Sequence, residues 1–442
     1  MTDEVPGGGV SNDDQSGGEE SDTDQPGVDE SDTDQSGVDD SDTDQSGDGV
    51  PGIDPGHLQA RIDAGEQVRV LDLRNLDEVE QWGLTGPAVT VTQKPYNRFV
   101  QARVTDDLAS FVDDVDGEGP ITVVCARGEA SAEVATTLDE AGYDAQNLTG
   151  GTEAWARLLQ ATELDRAVPE EATLVQYRRP SSGCLGYLVA ADGVGAVVDP
   201  LRAFGERYVR DARERDVSIE YVVDTHVHAD HVSGLRALAD AADAVPILPE
   251  TAVQRGVSYE VETLGDGERL DVGPLPLEAV HAPGHTTGMT AFSVGDTLLT
   301  GDSLFVDGVA RPDLERSEDA AAFARDLYHT LTERFAQFPD QTVVAPGHHG
   351  EGATPGDSGE FTARLGNCWT LPVFDMSEAA FVAHLTEQTP PRPANHERIV
   401  AINLGHESVS DSDAFELELG PNNCAAGSGE ATGSAGRNEP DQ

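Results

Sequence analysis

Thr225-His226-Val227-His228-Ala229-Asp230-His231 closes an apolar run, IEYVVDT (219–225), that has the composition of a buried strand. Three imidazoles and a carboxylate within six residues are costly to bury unless a charge compensates them, and a divalent metal is the usual compensator. On a loop at a strand's C-terminal end, His226 and His228 point to one side while Asp230 and His231 turn into the following helix. More candidates stand in the same kind of place. Pro283-Gly284-His285-Thr286 follows LEAVHA, Gly301-Asp302 follows TLLT, and Pro346-Gly347-His348 follows TVVA. One end of one sheet is therefore expected to gather His226, His228, Asp230, His231, His285, Asp302 and His348 into a cleft. A lone histidine is more often a surface or hydrogen-bonded residue than a ligand. His57, His281, His329, His349, His384, His396 and His406 lack this placement and are read that way. Seven candidates at matching strand ends favour a metal centre.

Outward from this segment, strand-like and helix-like stretches alternate. VRVLDL (68–73) and ITVVC (121–125) are short apolar runs, and Glu129–Ala141 has helical spacing. They define a parallel α/β unit over 52–164. The charged, proline-containing stretch 165–171 reads as a linker. TLVQYRR, CLGYLVAA and GAVVDP then cluster as strands, a helix is expected at about 201–215, and strand–helix alternation continues, so 172–405 is a larger α/β domain.

The 442 residues carry 83 acidic and 27 basic side chains, for a formal charge of −56. A field that negative repels nucleic acid and anionic membrane surfaces, so neither is expected as a partner. Lys94 is the single lysine. Acid-rich, lysine-poor composition suits very high salt, where the Debye length falls to ~3 Å or less and self-repulsion is screened; the charge reads as halophilic adaptation. Residues 1–51 contain the decapeptide repeats SDTDQPGVDE, SDTDQSGVDD and SDTDQSGDGV, with 17 acidic and no basic residues in the first 50. With almost nothing to bury, this segment is expected to be a solvated tail. A calcium array is disfavoured because the glycine-rich nonapeptide of calcium β-rolls is missing. The stretch 406–442 reads as an extension ending in a similar tail. Cys125, Cys184, Cys368 and Cys424 form no CxxC pair, no signal peptide or membrane span is legible, and a reducing cytoplasm is the expected compartment.

The order HxHxDH, PGHT, GD, PGH resembles the metallo-β-lactamase superfamily over about 172–405. The resemblance implies an αββα sandwich with a metal site at one edge. Thr300-Gly301-Asp302-Ser303-Leu304-Phe305 leading to Ala310-Arg311-Pro312-Asp313-Leu314 is similar to the GDxLF…GRxDL segment of the persulfide dioxygenase branch, with Ala310 where glycine is usual. Pro391-Arg392-Pro393-Ala394-Asn395 resembles that branch's LPxP…N ending. Carried over by position, the resemblance implies one Fe(2+) per chain held by His226, His285 and Asp302, a two-histidine, one-carboxylate set with open positions for oxygen and a substrate sulfur. His228, Asp230, His231 and His348 then orient ligands from outside, or, in the hydrolase branch, hold a second metal, with one or two Zn(2+) in place of iron. Arg311 is a candidate for binding a substrate carboxylate, against a structural salt bridge.

Cys125 ends the strand ITVV and opens Cys125-Ala126-Arg127-Gly128-Glu129-Ala130-Ser131, where a sulfur faces backbone N–H groups and the positive end of a helix dipole. The loop resembles the CxxGxRS loop of rhodanese domains. VLDLRNLDEVEQW (70–82) looks like their first strand and helix, and LTGGTEAW (148–155) is similar to their LxGGxxAW segment. Ala130 replaces an arginine common in active rhodaneses, and GLTGPA (83–88) replaces their GHIPGA. Cys125 is thus either a persulfide carrier or a relic in an interaction domain, while Cys184, Cys368 and Cys424 read as structural.

The fold class that follows is α/β: a rhodanese-like parallel domain, then an αββα sandwich. The expected enzyme oxidises a low-molecular-weight thiol persulfide with O2 to sulfite, with Cys125 handling sulfane sulfur. Two rivals stay open, a zinc-dependent thioester hydrolase of glyoxalase II type and a binding protein whose sites have decayed. A homo-oligomer is compatible with either enzyme.

Overall fold

Short runs of valine, isoleucine and leucine need apolar cover on both faces, which parallel sheets obtain from helices on each side. The computed structural model describes residues 52–164, 167–350, 353–387, 389, 391–419 and 424. The tails read at 1–51 and 425–442 lie outside the described residues. Strands β1 (Gly52–Ile53), β2 (Val68–Asp72), β3 (Val89–Gln93), β4 (Ile121–Val124) and β5 (Ala145–Leu148) form one parallel sheet in the order β1-β5-β4-β2-β3. Leu58, Ile62 and Trp155 cover one face against Val70 and Val124, and Phe99, Phe111, Val134 and Leu138 cover the other against Leu71 and Val123. The parallel α/β unit read from the sequence is present.

The chain then enters a second sheet at β6 (Gln160–Glu163), upstream of the expected linker, because β6 pairs antiparallel with β7 (Ala172–Arg179). With β8 (Cys184–Ala191), β9 (Val194–Val198), β10 (Ser218–Val223), β11 (Val245–Pro249) and β12 (Glu262–Leu264) they make seven strands in sequential order. A third sheet of six holds β13 (Arg269–Val272), β14 (Leu275–His281), β15 (Thr290–Val294), β16 (Thr297–Gly301), β17 (Val343–Pro346) and β18 (Ala363–Arg364). The two sheets share a core in which Tyr187, Val198 and Val223 of one pack with Leu277, Phe292 and Leu299 of the other. Truncating a fully buried Phe292 to alanine costs about 3–5 kcal/mol on this kind of core. Outside, Tyr208, Leu235 and Leu238 cover the seven-stranded sheet, and Ala324, Leu327 and Phe381 cover the six-stranded one. The layers run helix, sheet, sheet, helix.

β14 and β16 both run antiparallel to β15, and β17 runs parallel to β16, so the C-terminal ends of β14, β16 and β17 share an edge. β10 comes from the other sheet. The cleft is therefore built by two sheets, where one had been expected. The reading of 406–442 as an extension also changes, since Asp411–Leu417 is a helix whose Ala414 and Leu417 pack on Val232, Ile399 and Ile402. Glu418 follows it into the interior, pairing with Arg179 at 2.5 Å with both side chains 1% exposed.

Candidate metal centre

His226 stands three residues past β10, His285 four past β14, Asp302 one past β16 and His348 two past β17. Two glycines let the chain close there. Gly301 has φ of 48°, and a Cβ on it would lie 2.2 Å from Met289 Cε, while a Cβ on Gly347 would lie 2.6 Å from Asp302 Oδ1. Helix formation after the HxHxDH segment begins only at Leu235, so Asp230 and His231 stay in the loop instead of turning into the helix. The reason is a competing set of hydrogen bonds: Asn403 Nδ2 donates to the carbonyls of His228 (3.0 Å) and His231 (2.9 Å), and its Oδ1 accepts from Ser233 N (2.9 Å).

The hydrogen bonds fix which nitrogen of each histidine faces the centre. His285 Nδ1 lies 3.0 Å from the Arg311 carbonyl, which can only accept, so Nδ1 carries the proton and Nε2 a lone pair. Thr225 Oγ1 donates to Asp199 Oδ2 (2.9 Å) and accepts from His226 Nδ1 (2.9 Å), again leaving a lone pair on Nε2. These two Nε2 atoms and Asp302 Oδ2 are buried without a hydrogen-bond partner among the described residues. His285 Nε2 lies 3.7 Å and His226 Nε2 4.0 Å from Asp302 Oδ2. Two donors each about 2.1 Å from one ion lie up to about 4.2 Å apart, so this spacing suits a shared metal. Three orphaned donors that would each cost free energy if left bare are the observation that fits an ion to this position.

His348 is placed differently. Its Nδ1 donates to Asp302 Oδ1 (2.6 Å) and its Nε2 to Asp230 Oδ2 (2.9 Å), which occupies both nitrogens. Burial alone would lower its pKa, but the carboxylates of Asp302 and Asp230 outweigh it and hold the imidazole well above its ordinary range. Burial pushes His226 well below that range, helped by His228 and His285, and burial lowers His285 as well. The two orphaned imidazoles are thus neutral, as ligands must be, and His348 is a cation between two anions. His231 Nδ1 donates to Asp230 Oδ2 (3.0 Å). His228 faces away, its Nε2 3.1 Å from Asp199 Oδ1, so it backs the carboxylate that fixes Thr225 and through it His226.

Arg311 is 1% exposed, with Nε and Nη2 on the Asp313 carboxylate (2.8 and 3.0 Å) and Nη1 on the Pro391 carbonyl (2.8 Å). Its fork is occupied by Asp313, so the structural ion pair describes it, and its carbonyl orients His285. Two cysteines read as merely structural sit against the centre. Cys184 Sγ is 3.4 Å from Asp230 Oδ2, and Cys424 Sγ clusters with Asp230, Asp302 and His348. A signal existed for Asp199, which ends the strand run GAVVDP as Asp302 ends TLLTG. Asn403, Glu418 and Cys424 come from distant helical or tail sequence that carries none.

Cys125 lies at the end of β4, half-buried, with Gly128 N (3.1 Å) and Ser131 N (3.4 Å) pointing at Sγ and Ser131 Oγ 3.1 Å away. Gly128 caps the helix Glu129–Glu140 with φ of 88°. Arg127 turns outward to Glu153 (3.3 Å). No cation replaces the one missing at Ala130 among the described contacts of this sulfur.

Residues 54–158 match the rhodanese-like domain and residues 181–348 the metallo-beta-lactamase superfamily. The chain thus carries a rhodanese-like domain followed by a metallo-β-lactamase domain. Over 163 residues it is 30% identical to a Homo sapiens protein named persulfide dioxygenase ETHE1, mitochondrial, covering 36% of this chain and 60% of that protein. It is 29% identical over 161 residues to a hydroxyacylglutathione hydrolase of Xylella fastidiosa, covering 36% of this chain and 57% of the relative. The chain thus spans about 60% of the length of these relatives. A solved metallo-beta-lactamase from Staphylococcus aureus shares the fold at TM-score 0.50 and 24% identity, covering 55% of this chain and 75% of that one. No helix among the described residues is long and apolar enough to cross a membrane.

Proposed function

We propose that the chain oxidises a low-molecular-weight thiol persulfide, with O2 and water as co-substrates, to the thiol, sulfite and two protons at a single Fe(II). The observation that carries this reading is the convergence of three orphaned donors, His226 Nε2, His285 Nε2 and Asp302 Oδ2, while both nitrogens of His348 are taken by carboxylates. Two histidines and one carboxylate would hold iron with positions left for oxygen and sulfur, and the metal would supply the oxygen chemistry. The protein's part is to present neutral imidazoles, fix their rings through Arg311 O and Thr225 Oγ1, and hold Asp302 in place through His348. Arg311 acts as a positioning residue, and Cys125 serves as the sulfane-sulfur carrier of the other domain.

A second reading, a zinc-dependent thioester hydrolase, draws on the hydroxyacylglutathione hydrolase relative and on the cluster Cys184, Asp230, His231, His348 as a place for a second ion. Metal analysis of protein made without added metal decides between them. About one iron per chain with oxygen uptake on persulfide supports the first. Two zincs per chain with thioester cleavage and no oxygen uptake would overturn it.

A further inference from the structure

The two folded domains belong to one compact unit of the chain, and a cavity of about 470 Å³ lies where they meet. One wall is rhodanese-like, with Trp82, Thr85 and Asp63; the other comes from the sandwich, with Arg178, Ser181 and Ser182. At its inner end are Phe305, His348 and Cys424. His348 touches Asp302 at 2.6 Å, so the cavity stops one side chain from the metal-site carboxylate. The two walls are tied together. Trp82 Nε1 donates to the Ser181 carbonyl at 3.1 Å, and Trp82 is backed by Trp155 with ring centroids 5.6 Å apart. Arg178 Nη1 donates to Asp63 at 2.8 Å, and its guanidinium lies 4.7 Å over Phe361.

We propose that the rhodanese-like domain forms the outer wall of the substrate pocket, so that the carrier portion of the thiol persulfide lies between Trp82 and Ser181–Ser182 with its sulfane sulfur pointing inward past His348. The volume falls in the range of small-molecule pockets, about 300–1,000 Å³. The chemistry of the walls narrows the occupant. Arg178 is the one arginine or lysine among the described lining residues, and Asp63 and Phe361 already engage it, while the Ser181 and Thr85 side chains line the cavity as uncharged hydroxyls. A polyphosphate-bearing thiol of coenzyme A type would enter with no free cation to meet it. A small phosphate-free thiol, amino-acid to tripeptide in size, meets uncharged hydroxyls beside Trp82. Cys125 does not line this cavity, so the wall function is independent of its sulfur chemistry.

This inference rests on the dioxygenase reading for the identity of its ligand, and its test separates the two. In the iron-loaded full chain, titration with free cysteine or glutathione, the thiols left after oxidation, should quench tryptophan fluorescence saturably, and Trp82→Phe should remove that response. Ser181→Trp, which fills the cavity, should raise KM for cysteine or glutathione persulfide about tenfold while leaving iron content and kcat near wild type. Coenzyme A persulfide should turn over with kcat/KM at least about 100-fold lower than either. Oxygen uptake in wild type with unchanged KM in Ser181→Trp and an unaltered quench in Trp82→Phe would overturn the pocket and leave the dioxygenase reading intact. Saturable Trp82-dependent quenching in a chain that takes up no oxygen would do the reverse. Equal turnover of coenzyme A persulfide would overturn the assigned thiol class.

Discussion

The metal centre and the Cys125 loop both stand at the C-terminal ends of strands, yet they are held in different ways. Around the metal centre, each donor is fixed by a residue distant in sequence: Arg311 orients His285, Asp199 acts through Thr225 on His226, and His348 bridges Asp302 to Asp230. The Cys125 sulfur is held by its own loop, through Gly128 N and Ser131 N within six residues. A site assembled from four strand ends needs the whole sandwich folded before it exists. The loop that wraps the thiol needs one strand, the start of one helix and a single further turn, from which Thr152 N donates to the Cys125 carbonyl (2.9 Å) and Glu153 N to the Ala126 carbonyl (3.0 Å). The first should be lost by damage far away, and the second by change within the loop or at the turn over 150–153 that holds it.

The largest expected effect breaks the comparison at its stronger end. His226→Ala, His285→Ala and Asp302→Ala should each abolish metal retention and oxygen uptake, because two protein ligands hold a labile divalent ion too weakly. His348→Ala removes a partner of Asp302 and not one of the three orphaned donors, so it should lower metal affinity or activity about 10–100-fold. Metal content after gel filtration reads this directly. Complete stripping by His348→Ala would mean that His348 is itself a ligand and that the mononuclear assignment is wrong.

Cys125→Ser tests the other end. Sulfur transfer from thiosulfate should vanish, since a serine hydroxyl neither ionises near neutral pH nor forms a persulfide. Oxygen uptake on preformed persulfide should persist. Ala130→Arg should raise transfer if the missing cation limits it, because Arg127 is committed outward to Glu153. An intact wild type with no transfer activity and no adduct on Cys125 by mass spectrometry would assign this half to interaction alone.

Glu418→Gln tests the claim that distant damage reaches the metal loop. Glu418 neutralises Arg179 and accepts from Val232 N (2.9 Å), the residue after His231. Removing one partner of a pair this buried leaves an uncompensated charge and should cost about 3–5 kcal/mol in denaturant unfolding. Replacing both, Arg179→Met with Glu418→Leu, should recover much of the loss. An unchanged midpoint in Glu418→Gln would show that the pair adds nothing to the loop.

These differences also explain what was legible in the sequence. The strands β2, β4, β7 to β10 and the helix at 129–140 announced themselves through local apolar pattern, and the ligand candidates through motif and strand-end position. The partners of those ligands did not. Asn403, which keeps Asp230 and His231 in a loop, and Glu418, which anchors the next residue, act across 170 or more positions and have no periodicity to betray them. The assignment of strand ends to one sheet failed because nothing in IEYVVDT distinguishes a strand of the first sandwich sheet from one of the second. Arg311 reads from sequence equally as a substrate group or as a structural ion pair, because an Asp313 two residues on can serve a turn or the pair it makes at 2.8 Å.

The smallest expected effect asks whether the wall between the two regions responds to acid. His349 stacks on Phe361 with centroids 3.9 Å apart, and its Nε2 accepts from Arg178 Nε at 3.1 Å. Its Nδ1 donates to the Gly350 carbonyl at 3.1 Å, so a second proton would have to displace Arg178. Burial and then the Arg178 charge push its pKa down to about 3. Above about pH 6.5 the residue is neutral in both folded and unfolded chains and contributes no pH dependence. Between about 6.5 and about 3 the unfolded chain takes up a proton that the folded chain refuses, so stability falls as pH falls. His349→Gln cannot take up that proton and should lose less stability than wild type when denaturant midpoints at about pH 7 and about pH 4.5 are compared. Equal acid losses in the two proteins would mean that His349 protonates freely in the folded chain, and that Arg178 is not held against it as the geometry has it.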